Sequence, residues 1–176
     1  AAPMAAAGQV NADLLAWLQQ EPYYSRPLPK TTGREEFGTQ YTERVLERGR
    51  ELGLSPQDIV ATVTDLTAWS IADAYGRYVQ PRYQASRLVV GGGGSYNPTL
   101  LAFLSRRLGE YSVAVQTQED LGWSSDAKEA VAFAVLADRC AMGEANSLPG
   151  VTGAERAAVM GKISLPPRGS EKGEHR

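Results

Sequence analysis

The stretch Leu88-Val89-Val90-Gly91-Gly92-Gly93-Gly94-Ser95-Tyr96-Asn97-Pro98 limits the fold more than any other part of this chain. A short apolar run rich in β-branched residues, without alternation, reads as a strand covered on both faces, as in a parallel sheet. Asn97 is a natural N-cap and Pro98 suits the first helical position. Between them lies a glycine turn that admits positive φ and lets another group approach the backbone closely. Strand, glycine turn and helix start, in that order, place free N–H groups and a partial positive charge at the carboxyl edge of the sheet. That is a cradle for a phosphate or nucleotide. No Gly-Lys-Ser/Thr follows, and the third spaced glycine of the dinucleotide fingerprint is missing, so neither of those motifs applies. The plain alternative is a flexible turn followed by an ordinary cap.

The rest of the chain supplies mostly helices. Asn11 caps a predicted helix over 11–20, with Asp13 in its first turn and Leu14, Leu15 and Leu18 on one stripe. A proline-rich loop leads to a surface helix over 36–52, stopped by Gly53. Ser55, Pro56 and Asp58 then open the best-signalled helix, running to Val79 and closed by Pro81. Its apolar stripe is Val60, Val63, Thr67, Ile71, Ala74 and Tyr78, widened by Ile59 and Leu66, which predicts the central buried helix. After the glycine turn come a helix from Pro98 to Gly109, a second short strand over 112–115 and a helix over 125–142 stopped by Gly143. Strand, helix, strand, helix predicts parallel βαβ pairing. Two strands make a poor sheet alone, so further strands are expected to join it. Residues 165–176 read as a frayed tail.

Composition narrows the function. The 176 residues carry eighteen basic and twenty acidic side chains, a formal net charge of −2. Nothing in that balance favours a nucleic acid, which needs a basic patch to displace its counterions. No apolar run reaches the length of a membrane span, and the small apolar start has no basic head like that of a signal peptide. One cysteine, Cys140, excludes an internal disulfide framework and fits a reducing cytoplasm. The absence of an initiating Met, with a helix signal almost at once, reads as a chain entered in its middle.

Several ordered blocks carry a resemblance. Val90-Gly91-Gly92-Gly93 with Asn97-Pro98 resembles the adenosine motif of the actin-like ATPase superfamily, which includes hexokinase. Pro29-Lys30-Thr31-Thr32-Gly33-Arg34-Glu35 is similar to a block of the anhydro-N-acetylmuramic acid kinases. So are the run from Asp58 through Thr64 into Leu66-Thr67-Ala68, and the run from Asp126 through Ala134, with Leu148-Pro149 and Val151-Thr152-Gly153-Ala154 beyond. The likeness extends from about Gly8 to Ile163. It implies an α/β fold, specifically a ribonuclease H-like (actin-like ATPase) carboxy-terminal lobe over 1–164, helix-rich with a small mostly parallel sheet. It also implies an ATP- and Mg²⁺-dependent kinase that opens an anhydro-amino-sugar with water and phosphorylates it, in the cytoplasm and as a homodimer. The family's catalytic aspartate lies in an Asp-Thr-Gly-Pro stretch that this sequence lacks, so the general base and an amino-terminal lobe are expected upstream. Tyr96 stands where the family usually has histidine, and Gly38 where asparagine is common.

The candidate nucleotide residues are Gly91, Gly92, Gly93, Gly94 and Asn97. No residue of this chain is assigned as catalytic or as a metal ligand. The resemblance makes Glu129, Asp126 and Arg34 candidates for the sugar. Asp126 and Glu129 equally read as a capping box at a helix start, and Lys30 and Arg34 either as contacts to substrate or the other lobe or as loop-to-core ion pairs. Thr62, Thr67 and Ser70 are expected as buried hydroxyls bonded to their own helix. Cys140 is expected as a small core residue beside Phe133 and Leu136. Trp17, Trp69 and Trp123 are expected to pack rather than stack on a ligand, and His175 to be exposed in the tail.

Overall fold

The computed structural model of the protein describes residues 2–164, which fall into two compact units that divide between Ser125 and Asp126. The predicted tail and His175 lie outside the described residues. In the first unit, α1 (Ala2–Ala7), α2 (Ala12–Gln19) and the short α3 (Pro22–Ser25) precede α4 (Thr39–Glu51) and α5 (Pro56–Ala74). Helix α5 runs on as a π turn over Tyr75–Val79. Then come β1 (Arg87–Val90), α6 (Pro98–Gly109) and β2 (Ala114–Thr117). The strands pair in parallel, with Arg87 opposite Ala114 and Val90 opposite Thr117. The unit is thus helix-rich with a small parallel sheet, as expected of an α/β chain.

Helix ends follow the local chemistry. Asn11 Oδ1 accepts the Leu14 N–H at 2.8 Å. Ser55 and Asp58 form a reciprocal capping box, with the Asp58 N–H donating to Ser55 Oγ and the Ser55 N–H to Asp58 Oδ2. Helix α4 closes with the Leu54 N–H on Gly49 O and the Gly53 N–H on Arg50 O, a Schellman arrangement.

Helix α5 is central, but of its predicted face only the widening residues Ile59 and Leu66 are buried. Ile59, Ala61, Thr62, Asp65, Leu66, Ala68 and Ala72 are buried, and none of Val60, Val63, Thr67, Ile71, Ala74 or Tyr78 is. Small residues decide this, because they let neighbouring helices come close. Ala68 and Ala72 share a core with Tyr75, Leu104, Leu108 and Val113, onto which Leu88, Val90 and Val115 pack. Ile59 and Leu66 join Leu14, Leu18, Tyr41 and Val45 in a second core that Trp17 and Trp69 flank. Thr62 Oγ1 donates to Asp58 O at 2.7 Å and accepts the Asn11 N–H, so this hydroxyl ties the chain start to α5. Thr67 and Ser70 also bond helix carbonyls, although Thr67 is exposed.

Asp65 is the one charge sunk in the middle of α5, only 1% exposed. Arg107 of α6 grips it through Nε at 2.9 Å and a terminal nitrogen at 2.5 Å, and Arg106 adds a third contact at 3.1 Å. The strand β1 departs from expectation on one face: Leu88 and Val90 meet the core, but Val89 is 41% exposed.

In the second unit, α7 (Lys128–Ala141) and α8 (Pro149–Thr152) follow a turn. Asn146 organises the connection, donating to Leu136 O and Met160 O and accepting the Met160 N–H. No residue of α7 is buried, and Phe133 is 71% exposed. Cys140 therefore is not a core residue. It is half-buried in the wall of an open cavity of about 400 Å³ with Phe133, Leu136 and Met160. Among the described residues, no helix is long and apolar enough to cross a membrane.

Candidate nucleotide site

The site lies where β1 and β2 end. Gln118, first residue after β2, donates its N–H to Val90 O at 3.0 Å, so the two departing loops start side by side. The four glycines then serve different purposes. A Cβ on Gly91 would collide with the Gln118 side chain. Gly92 sits at φ 90° and ψ −175°, a region essentially closed to other residues. Gly93 and Gly94 begin a 3₁₀ turn that ends at Tyr96. A Cβ on Gly93 would meet nothing within 4 Å, and one on Gly94 only Leu100 Cδ2 at 3.7 Å. The backbone requires a glycine at Gly92, and a side chain at Gly91 would have to displace that of Gln118. It demands no glycine at Gly93 or Gly94, where there is room for a group from outside.

The turn spends some of its amides on itself. The Ser95 N–H donates to Gly92 O at 2.9 Å and the Asn97 N–H to Gly94 O at 3.1 Å. Gly93 and Gly94 head the turn, so their N–H groups have no acceptor within it. Asn97 Oδ1 accepts from the Thr99 and Leu100 N–H groups, which makes it the α6 cap and leaves its amide nitrogen for a ligand.

The second wall is the loop over 118–125, which no sequence pattern singled out as part of the site. Thr117 and Asp120 bond each other reciprocally, the Thr117 N–H to Asp120 Oδ2 at 2.7 Å and the Asp120 N–H to Thr117 Oγ1 at 3.1 Å. Glu119 Oε1 accepts the Ser125 N–H at 2.8 Å and the Tyr96 hydroxyl at 3.2 Å, and Oε2 accepts the Ser125 hydroxyl at 3.1 Å. Ser95 Oγ donates to Gly92 O and lies 3.3 Å from Ser125 Oγ, both side chains buried. The Ser125 N–H holds the Glu119 carboxyl below its ordinary range, and the Thr117 N–H does the same for Asp120. The Thr-x-x-Asp spacing of Thr117 and Asp120 is a helix-start pattern and was the available clue to this loop.

The remaining candidates stand elsewhere. Arg34 lines a polar cleft of about 690 Å³ with Glu21, Glu35, Gly38, Glu43 and Glu47, and none of the four glycines is in its wall. Among the described residues Lys30 has no carboxylate partner; its Nζ donates to the carbonyls of Tyr23 and Tyr24 at 3.1 Å each, closing α3. The capping box at Asp126 and Glu129 does not form. Helix α7 starts at Lys128 behind Ala127, with no side-chain cap, so Glu129 is an exposed first-turn carboxylate and Asp126 belongs to the preceding turn. Trp123 is 63% exposed rather than packed. Among the described residues no group of three or more His, Cys, Asp or Glu is placed to hold a metal ion.

Known proteins resemble this chain along nearly its whole length. The family model for anhydro-N-acetylmuramic acid kinase matches residues 1–166. A relative of that name from Caldanaerobacter subterraneus subsp. tengcongensis is 45% identical over 162 residues, which is 92% of this chain and 40% of the relative. Relatives of the same name from Salinibacter ruber and Bacillus cereus are 43% and 39% identical over 160 residues, 91% of this chain in each case. The chain spans about two-fifths of the length of these relatives. With its model matched nearly end to end and these identities sustained throughout, the chain belongs to the anhydro-N-acetylmuramic acid kinase family.

Proposed function

We propose that this chain is the nucleotide-side lobe, of ribonuclease H-like fold, in a cytoplasmic kinase that converts 1,6-anhydro-N-acetylmuramic acid, water and ATP to N-acetylmuramic acid 6-phosphate and ADP. Family membership supports the reaction. The observation that carries the role of this lobe is the pair Gly93 and Gly94, glycines that the chain's own packing does not demand, set at the carboxyl edge of a parallel sheet.

The residues fit a nucleotide. The N–H groups of Gly93 and Gly94 are donors for a phosphate oxygen or ribose, and the Asn97 amide nitrogen flanks them. ATP brings the γ-phosphoryl group, and Mg²⁺ enters with its phosphates rather than through a cage in this lobe. What the lobe contributes is position: a turn set between β1 and α6 holds the donor in line with the acceptor oxygen. Glu129, exposed in the first turn of α7, is the acceptor we assign to the sugar hydroxyls, with Asp126 beside it in sequence; Arg34 belongs to a substrate or lobe contact. The general base that takes the proton of water comes from the remaining length of the enzyme, and the intact enzyme acts as a homodimer. The 176-residue chain alone binds nucleotide and turns over nothing.

Calorimetric titration of the chain with Mg·ADP tests this. Binding that Gly93→Val abolishes, without loss of fold, is expected; binding indifferent to that change places the nucleotide elsewhere and sinks the assignment.

A further inference from the structure

A turn made of glycines is cheap to deform, because glycine has the largest backbone freedom to lose. A phosphate cradle built from one needs something else to hold it ready, since every degree of freedom frozen on binding is subtracted from affinity. In this chain the stiffening elements are the two residues of the turn that carry side chains. Ser95 is buried, bonded to Gly92 O and set against Ser125. Tyr96 gives its hydroxyl to Glu119. Both ties run to the loop after β2, and there they meet on one carboxylate: Glu119 accepts from Tyr96, from the Ser125 N–H and from the Ser125 hydroxyl.

We propose that Glu119 is a positioning residue for nucleotide binding, bracing the glycine turn through Tyr96 on one side and Ser125 on the other. The inference rests on the nucleotide reading given above and extends it to a loop and a residue that reading does not use. It also gives a definite role to Tyr96, whose phenol reaches across to the second loop. Glu119 acts through these neighbours and not by touching the ligand.

The test is calorimetric titration of Mg·ADP into the 176-residue chain and its variants Glu119→Ala, Glu119→Gln, Tyr96→Phe and the double variant Glu119→Ala/Tyr96→Phe. Glu119→Ala should weaken ADP binding about three- to tenfold, the scale of one or two hydrogen bonds. Glu119→Gln keeps an acceptor oxygen for the Ser125 N–H and the Tyr96 hydroxyl, so it should restore most of the affinity. Tyr96→Phe should weaken binding in the wild type and add little to Glu119→Ala, because both cut the same brace. Unchanged affinity in Glu119→Ala overturns the proposal. So does Glu119→Gln falling as far as Glu119→Ala, since charge would then act on the ligand or its metal directly. If Glu119→Ala fails to fold, Tyr96→Phe, which removes one oxygen, decides alone, and unchanged affinity there overturns it. A wild-type chain that does not bind ADP defeats the nucleotide reading itself, and that is seen before any variant is compared.

Discussion

Arg107 of α6 holds both carboxylate oxygens of Asp65 in the middle of α5, locking together the two helices that share the core beneath the sheet. Removing Arg107 leaves the buried Asp65 carboxylate with only the largely exposed Arg106 on one of its oxygens. Arg107→Ala should therefore cost about 3 to 5 kcal/mol in urea unfolding. Arg106→Ala should cost far less, since Arg106 is largely exposed. Equal losses would show that Arg106 carries the pair.

The four glycines should separate into two classes. Gly92→Ala forces a Cβ into a backbone region reserved for glycine and should lower stability by about 1 to 3 kcal/mol. Gly93→Ala should leave the melting temperature close to wild type and still weaken ADP binding. Thermal melts alongside calorimetry check both, and a Gly93→Ala chain that melts early would mean the turn needs that glycine for itself.

Asp58 joins the chain start to α5. The Gln9 N–H, first, and the Ser55 hydroxyl hold its carboxyl below the ordinary range. A carboxyl more acidic in the folded state than in the unfolded one adds stability that is fully present above its unfolded pKa, near 4, and lost as pH falls through the lower folded value. Asp58→Asn should therefore destabilise the chain at neutral pH, with the gap from wild type closing as the pH drops below about 4. Melts in steps from pH 7 downward check this; a gap independent of pH assigns the effect to geometry.

Tyr41 is buried, and its hydroxyl has no hydrogen-bond partner among the described residues. Burial pushes its pKa well above the ordinary phenol range. Deleting an unsatisfied buried oxygen recovers its desolvation cost, so Tyr41→Phe should leave stability unchanged or raise it by up to about 1 kcal/mol. A loss of more than that in chemical unfolding would reveal a partner for this hydroxyl.

Local signals read well where one residue type has one use. Asn97 and Pro98 placed the start of α6, and Ser55, Pro56 and Asp58 placed the start of α5, because capping chemistry is confined to a few neighbouring atoms. The parallel pairing of the strands followed from the βαβ order. Signals that depend on distant contacts were not legible. Ala68 and Ala72 look neutral in a hydropathy pattern, yet they permit the close approach that turns α5 away from its Val60–Ile71 stripe. Asp126 and Glu129 match the capping-box spacing, but the helix starts two residues after Asp126. Within the candidate site, the glycines and Asn97 stand out in the sequence as a motif. Glu119 was not, because its importance lies in three partners that only the folded loops bring together.

Helix α7 has its amide ladder but no residue sealed from water, while α5 has seven. Amide protons exchange by whatever opening is cheapest, and a helix without an apolar anchor opens without disturbing the rest of the protein. The amides of Val131 to Ala141 should accordingly take up deuterium long before those of Ile59 to Ala72, so that the chain, placed in heavy water, labels α7 ahead of α5.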